Sequence, residues 1–340
     1  MRHYRRLPWE QLRDLCRIDG SHSTLAISAD ILIIGCAIAG AILWLPWWCY
    51  PAVLVVLGSR QQGLIVLMHE AAHGKLFRNR RWNDFTGEVI LAWPLFISMF
   101  SYRANHCAHH RHMNTELDPD WVRYLTPEAD ERQNWTYSRT QAQVLWPLLK
   151  DLLGFGTLSQ IKRVIRLAKP RNHDPRRNSP EADRAAELRF GRYPAAAVWV
   201  FRLALAITLT VTHAWLAFLL YWVVPALTML KMCTRLRLLA GHFAVFGGEG
   251  IRTTLSSPFE KFLLAPHNIG YHVEHHLYPA VYFSRLPELH SELVARGDYD
   301  GSLPFRLTHG YRGLIADWSR TAEAQRATQQ DVRKMANSQV

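Results

Sequence analysis

The sequence predicts an all-α integral membrane protein, with about four transmembrane helices in two hairpins and a cytoplasmic helical cap. Three observations carry this expectation. Apolar residues gather into paired runs long enough to cross a bilayer. Positive charge clusters at one end of every run, as cytoplasmic segments require. Finally, 49% of the 340 residues are hydrophobic, yet mean hydropathy is only −0.10, so apolar and polar matter are segregated along the chain.

Residues 1–24 are a basic cytoplasmic segment containing Arg2, Arg5, Arg6, Arg13 and Arg17. A membrane domain is expected over 25–290, with spans at about 25–48, 51–68, 194–211 and 214–231, followed by a cytoplasmic tail over 291–340. Residues 31–51 hold no formal charge, and Pro46 and Pro51 bracket an aromatic turn of Trp47, Trp48 and Tyr50 suited to a membrane interface. The returning run is interrupted by Arg60. A lone charge inside a span is costly, so Arg60 needs a partner, and Asp30 could reach it if the first two helices pack side by side. The run 89–100 is too short to span and reads as a re-entrant or interfacial helix. Residues 103–192 contain no 18-residue apolar run and fall outside the membrane. The block 194–230 is long enough for two spans, with Arg202 its one charge and Pro225 a kink.

The N-terminus, the 75–81 loop, the middle region and the C-terminal third are all rich in Lys and Arg, whereas the turns near 46–51 and 210–215 have none. Both hairpins are therefore expected to enter from the cytoplasm. The net charge of +12 fits an anionic membrane or nucleic acid. The absence of zinc-finger spacing, an RNA-binding aromatic signature or a helix-turn-helix pattern argues against nucleic acid. The five cysteines are scattered without a CxxC pair, which excludes a disulfide framework or an iron–sulfur set and suits a reducing cytosolic face. The basic N-terminus lacks the cleavage pattern of a signal peptide.

Three histidine clusters carry the chemistry: His69-Glu70-Ala71-Ala72-His73, His106-Cys107-Ala108-His109-His110 and His272-Val273-Glu274-His275-His276. Positions i, i+3 and i+4 of a helix share a face, so each cluster aims two or three imidazoles at one point. Eight such histidines exceed what one four- to six-coordinate ion can use, which implies a di-metal site; imidazole alone leaves iron, zinc, copper and nickel open. The first cluster also fits HExxH, in which Glu70 would be the general base of an intramembrane zinc metalloprotease. That alternative leaves the other two clusters idle.

HxxxH, HxxHH and HxxHH in this order, with the segments "LMHEAAHGKLFRN", "YRANHCAHHRHMNTELDPD" and "PHNIGYHVEHHLYPAVYFSRLPELH" around them, resemble the three histidine boxes of membrane fatty-acid desaturases. The likeness covers about residues 55–290. It implies a multi-pass membrane oxidoreductase with two irons in the cytoplasmic cap. Such an enzyme would use dioxygen and external electrons to introduce a double bond into an acyl chain. Carried over position by position, the metal ligands would be His69, His73, His106, His109, His110, His272, His275 and His276. A ninth, His242, would stand near the end of the last span. Front-end members of the family carry Gln where this third box begins with His272.

Metal-bound imidazoles donate their second nitrogen to a carboxylate or carbonyl. Glu70, Asn268, Glu274, Asp118 and Asp120 are candidates for that support, Asn268 foremost because it lies one turn before His272. His112 and His267 read as supporting or surface groups, and His3, His22, His173, His213, His290 and His309 receive no role. Trp93, Phe96, Phe100 and Trp222 could line a tunnel for an apolar chain or simply pack helices. The basic stretch 162–192 could meet lipid headgroups, an acyl carrier, coenzyme A or an acidic electron donor. No cytochrome b5 motif, ferredoxin cysteine set or GxGxxG fingerprint is present. The expected partners are therefore the bilayer, an acyl lipid, acyl-CoA or acyl-ACP substrate, and an external donor of ferredoxin, flavoprotein or cytochrome b5 type. The same scaffold could instead hydroxylate, ketolate or desaturate a small amphiphile. Heavy use of Arg over Lys leans toward a bacterial inner membrane rather than endoplasmic reticulum.

Overall fold

A computed structural model describes residues 4, 6–113, 118, 141–157, 193, 195–242 and 250–320. The basic stretch 162–192, Asp120 and residues 321–340 lie outside the described residues. Twelve helices are labelled along the described chain. They are α1 (Trp9–Leu15), α2 (Gly20–Leu43), α3 (Tyr50–Ala72), α4 (Arg80–Leu95), α5 (Met99–His112), α6 (Gln141–Leu152), α7 (Ala195–Val211), α8 (Trp215–His242), α9 (Pro258–Leu263), α10 (His272–Leu277), α11 (Leu286–Ala295) and α12 (residues 310–320). Among the described residues, α2, α3 and α8 are long and apolar enough to cross a membrane, while α7 is apolar but shorter.

The all-α expectation misses one feature. Strands β1 (Ile251–Leu255) and β2 (Phe305–His309) pair in parallel, with Ile251 opposite Phe305 and Leu255 opposite His309. A parallel pair needs a long crossover, and here that crossover contains α9, α10 and α11, so the third histidine cluster hangs between the two strands.

The helix bounds depart from the expected spans for local reasons. Helix α2 starts at Gly20 because Asp19 caps it, accepting from the backbone N–H of Ser21 and His22 at 3.0 and 3.1 Å. Helix α3 does not stop at 68 but carries His69 on into its last turn. The 89–100 run ends α4 and opens α5, which meet at a bend of 102°. Phe96 turns the chain there with φ +59. The buried Glu88 stitches the bend, accepting from Trp93 Nε1, Ser98 Oγ and the Phe100 N–H at 3.0, 3.3 and 3.1 Å.

Helices α2 and α3 behave differently although both are apolar. Leu25, Ile31, Leu32, Ile42 and Leu43 of α2 are exposed, whereas α3 is buried almost continuously from Leu57 to Ala72. Helices in lipid are held by close packing and polar contacts rather than by exclusion of water, and α3 uses both. Arg60 donates to Asp30 Oδ1 at 2.9 Å, so the expected pairing across α2 and α3 is present, and it also donates to the Phe262 carbonyl. Gln61 Nε2 donates to Trp222 O at 2.9 Å, and Thr234 Oγ1 to Gln62 Oε1 at 3.1 Å. Two of the aromatics considered for a tunnel pack helices here: Phe100 is buried in the α2–α3 core, and Trp222 Nε1 donates to Pro94 O at 2.7 Å.

The N-terminal segment packs beside the third histidine cluster. Leu7 and Leu15 join Val273, Leu277 and Leu289 in one apolar cluster. The Leu7 N–H donates to Tyr278 Oη at 2.7 Å, and Tyr282 N–H to Leu15 O at 3.0 Å. This docking steadies the stretch that follows the third histidine cluster.

Candidate metal centre

Each cluster is positioned by the way its element ends. In α3, His69 and His73 lie one turn apart, and the helix closes directly after them. Gly74 adopts φ +72, its N–H donates to Ala71 O, and Lys75 N–H donates to Glu70 O, both at 2.9 Å. This six-to-one, five-to-two pair is a Schellman closure, which favours glycine at its left-handed position. In α5, His106 and His110 face one way, and His109, about 100° round the helix, faces another. Adjacent residues His275 and His276 of α10 split in the same manner. His242 is the last residue of α8.

These elements bring the imidazoles into two groups. The coordinating atoms of His69, His73, His106, His110 and His275 all lie within 4.8 Å of one another, as do those of His109, His242 and His276. His272 stands beside the second group, with Nε2 2.8 Å from His242 Nε2 and its ring centroid 4.4 Å from that of His276. In the first group, Nε2 atoms approach at 2.8 Å (His69–His106), 3.0 Å (His106–His110) and 3.1 Å (His110–His275). The groups adjoin where the His110 and His276 rings stack at 4.2 Å.

The donor set fits two metal ions. Imidazole nitrogens bound at about 2.1 Å and at right angles stand about 3 Å apart, which is the spacing seen. Buried Nε2 atoms of His73 and His276 have no hydrogen-bond partner among the described residues, so lone pairs are spent on nothing but the shared interior. Burial pushes His272, His275 and His276 well below the usual imidazole range, neighbouring imidazoles add to it at each, and Arg237 adds to it at His272. They are therefore held neutral, the form that ligates metal.

Two carboxylates orient rings from behind. His69 Nδ1 lies 2.8 Å from Glu70 Oε1, and His109 Nδ1 lies 2.9 and 3.0 Å from the two Asp118 oxygens. An Nδ1–H donated to a carboxylate turns Nε2 toward the interior. Asn268 is placed otherwise than its spacing suggests. Its backbone is left-handed at φ +61, its amide donates to Phe283 O at 3.2 Å, and Lys261 donates to its oxygen at 3.3 Å. No hydrogen bond joins it to His272 among the described residues, because the chain reverses between them and is not one helical turn. Glu274 also faces away from the imidazoles. It is fully buried and accepts from Thr253 Oγ1 at 2.6 Å, His290 Nδ1 at 2.6 Å and Tyr299 Oη at 2.5 Å. His267 pairs with Asp30 at 2.7 Å, and His112 lies outside both groups.

Thr253, His290 and Tyr299 escape the sequence reading. The available signal is Glu274 itself: an acid on the opposite face of a buried box must find donors elsewhere.

Comparison with known proteins follows the same lines. A family model described as fatty acid desaturase matches residues 42–308. Dihydrorhizobitoxine desaturase of Bradyrhizobium elkanii is 29% identical over 283 residues, covering 81% of this chain and 75% of that protein. An sn-1 acyl-lipid omega-3 desaturase (ferredoxin) of Synechocystis is 25% identical over 255 residues, 71% of this chain and 65% of that one. An sn-1 oleoyl-lipid 12-desaturase of Synechocystis is 37% identical over 82 residues, 24% and 23% of the two chains.

Proposed function

This chain belongs to the fatty acid desaturase family, and from that premise we propose that it is a dioxygen-dependent enzyme that places a double bond in an acyl chain, using two irons held by its histidines. It is a membrane oxidoreductase of the desaturase type. The zinc-protease reading of HExxH has no support: His69 and His73 share their group with three histidines from two other helices.

The observation that carries the proposal is the convergence of eight box histidines and His242 on two adjoining points. His69, His73, His106, His110 and His275 would hold one ion, and His109, His242, His276 and His272 the other. When bound, the irons supply the redox chemistry with dioxygen that an unactivated methylene requires, because its hydrogens are not acidic enough for side-chain acid–base catalysis. The chain's own residues do the rest. Glu70 and Asp118 hold Nδ1 protons on His69 and His109, which aims Nε2 inward. Thr253, His290 and Tyr299 lock Glu274 and so fix the pitch of α10. Burial of the imidazoles keeps bulk water out.

Desaturation removes two hydrogens and reduces dioxygen to two waters, consuming two electrons and two protons from outside. A ferredoxin-type donor is the proposed source, because the Synechocystis relative is named for ferredoxin. The charge asymmetry supports two hairpins entering from the cytoplasm, with the metal centre on that side, and the heavy use of Arg over Lys favours a bacterial inner membrane. One observation favours a second reading. A relative that matches over 81% of this chain and 75% of its own is named for dihydrorhizobitoxine, so the substrate is alternatively a specialised small molecule.

Metal analysis of the detergent-purified chain, expressed with added iron, together with a fatty-acid profile of the expressing cells, tests both. About two irons per chain and a new unsaturated acyl species are expected. Two irons with an unchanged profile would move the substrate to the small-molecule reading. One zinc without iron would sink the proposal.

A further inference from the structure

A broad cleft of about 1100 Å³ opens where α2 begins, away from every box histidine. Its walls come from three places: Arg17 ahead of α2, Arg78 and Trp82 after the first histidine cluster, and Arg285 after the third. The arginines retain donor capacity. Among the described residues the Arg17 guanidinium makes no hydrogen bond or ion pair. Arg78 spends only Nε, on Ile18 O at 3.1 Å. Arg285 meets Glu288 at 2.6 Å through one terminal nitrogen, while its Nε is buried without a partner.

Two acids share the wall, and among the described residues neither is paired with Arg17, Arg78 or Arg285. Asp19 is committed to the α2 cap. The Asp14 side chain is 77% exposed and stands beside Arg13. Three guanidinium forks around one cavity match the oxygens of a phosphate group.

The surroundings indicate which phosphate. Leu25 and Leu32 of α2 are 67% and 66% exposed, although α2 is among the helices apolar enough to span. Leu25 lies five residues past Gly20, about 7.5 Å along the axis, comparable to the polar interfacial layer of about 5–8 Å on each side of a bilayer. Trp82 and Phe85 stack at 5.4 Å beside the mouth and are both exposed, as interfacial aromatics are. Headgroup chemistry and an apolar wall thus follow one another at lipid spacing.

We propose that this cleft holds the phosphate of an anionic membrane lipid, with the headgroup among Arg17, Arg78 and Arg285 and the acyl chains along the exposed face of α2. The proposal rests on α2 crossing the membrane, and not on the metals or the reaction. It gives the enzyme a lipid site separate from its histidines.

The test is native mass spectrometry of the full chain in micelles containing dioleoyl phosphatidylglycerol or dioleoyl phosphatidylcholine. The variants are the triple Arg17→Gln/Arg78→Gln/Arg285→Gln and, as control, Arg312→Gln/Arg320→Gln on α12. Wild type and control should retain phosphatidylglycerol in preference to phosphatidylcholine. The triple variant should bind it more weakly by about fivefold per arginine, on the order of a hundredfold in all. If the triple variant does not fold, Arg78→Gln alone should cost about fivefold. Equal retention by wild type and variant, or no preference between the lipids, would overturn the site. Complete displacement of phosphatidylglycerol by millimolar inorganic phosphate would reassign it to a soluble phosphate and overturn the lipid. Metal content of the same samples separates this outcome from failure of the proposed function.

Discussion

The two histidine groups are built by different means. Four of the five imidazoles in the first come as two pairs one turn apart, His69 with His73 on α3 and His106 with His110 on α5, so continuous helices preset their directions. The second group draws His109 and His242 singly from α5 and α8 and adds His276, with His272 a turn behind it, from α10. Its geometry therefore depends on three elements packing correctly. A site preset by local structure tolerates the loss of one member better than a site set by tertiary contacts with fewer members.

The largest effect should expose that inequality. His276→Ala should lower metal content from about two ions per chain to about one, because the second group has no spare imidazole. His73→Ala leaves four histidines in the first group and should stay near two, with weaker retention under chelator. Both should abolish product formation. Metal analysis before and after a chelator wash decides it, and equal loss in the two variants would mean that the groups are not unequal.

Next in size are the carboxylates behind the rings. Asp118→Asn and Glu70→Gln each remove an acceptor for an Nδ1–H, and such changes cost about 10- to 100-fold in metal affinity. Asp118→Asn should lie at the upper end, since it loosens one of few donors, and Glu70→Gln at the lower end. Residual activity in Glu70→Gln separates the two HExxH chemistries as well, for a zinc protease would lose its general base. A reversed order of the two variants would break the comparison.

How much of this was legible before folding follows the same division. Spacing pairs His69 with His73 and His106 with His110, because an i, i+4 pair on a helix states its own direction. It also aims His109 and His276 with their box neighbours, whereas the structure turns both to the second group. Asp30 and Arg60 were also legible, because two charges in apolar runs have few alternatives to each other. His242 entered the site through a family resemblance, since nothing in its own neighbourhood announces a ligand. Spacing does not place Asn268, because the chain turns through left-handed His267 and Asn268 where an i, i+4 reading requires a helix. The β1–β2 pair lies beyond the sequence reading because two five-residue strands, separated by almost fifty residues, leave no periodic signal. The docking of Leu7 and Leu15 likewise depends on contacts that only the third cluster's surroundings supply.

The smallest expected effect tests whether packing alone sets the second group. Gly241 precedes His242, and a Cβ built there would sit 2.5 Å from His272 Nε2, a distance that forces the ring or the helix to move. Overpacking a buried site costs about 1–3 kcal/mol. The low end applies, because α10 has only six residues and can shift. Gly241→Ala should therefore weaken the second ion by about five- to tenfold, leaving the first group's ion in place. The readout is chelator titration of purified chain, with His272→Ala in parallel. If His272 serves the second ion, both variants act on that ion and His272→Ala acts more strongly. Full retention of both ions by Gly241→Ala would show that His272 is held by its neighbours and not by the metal, and would leave the second group with three imidazoles.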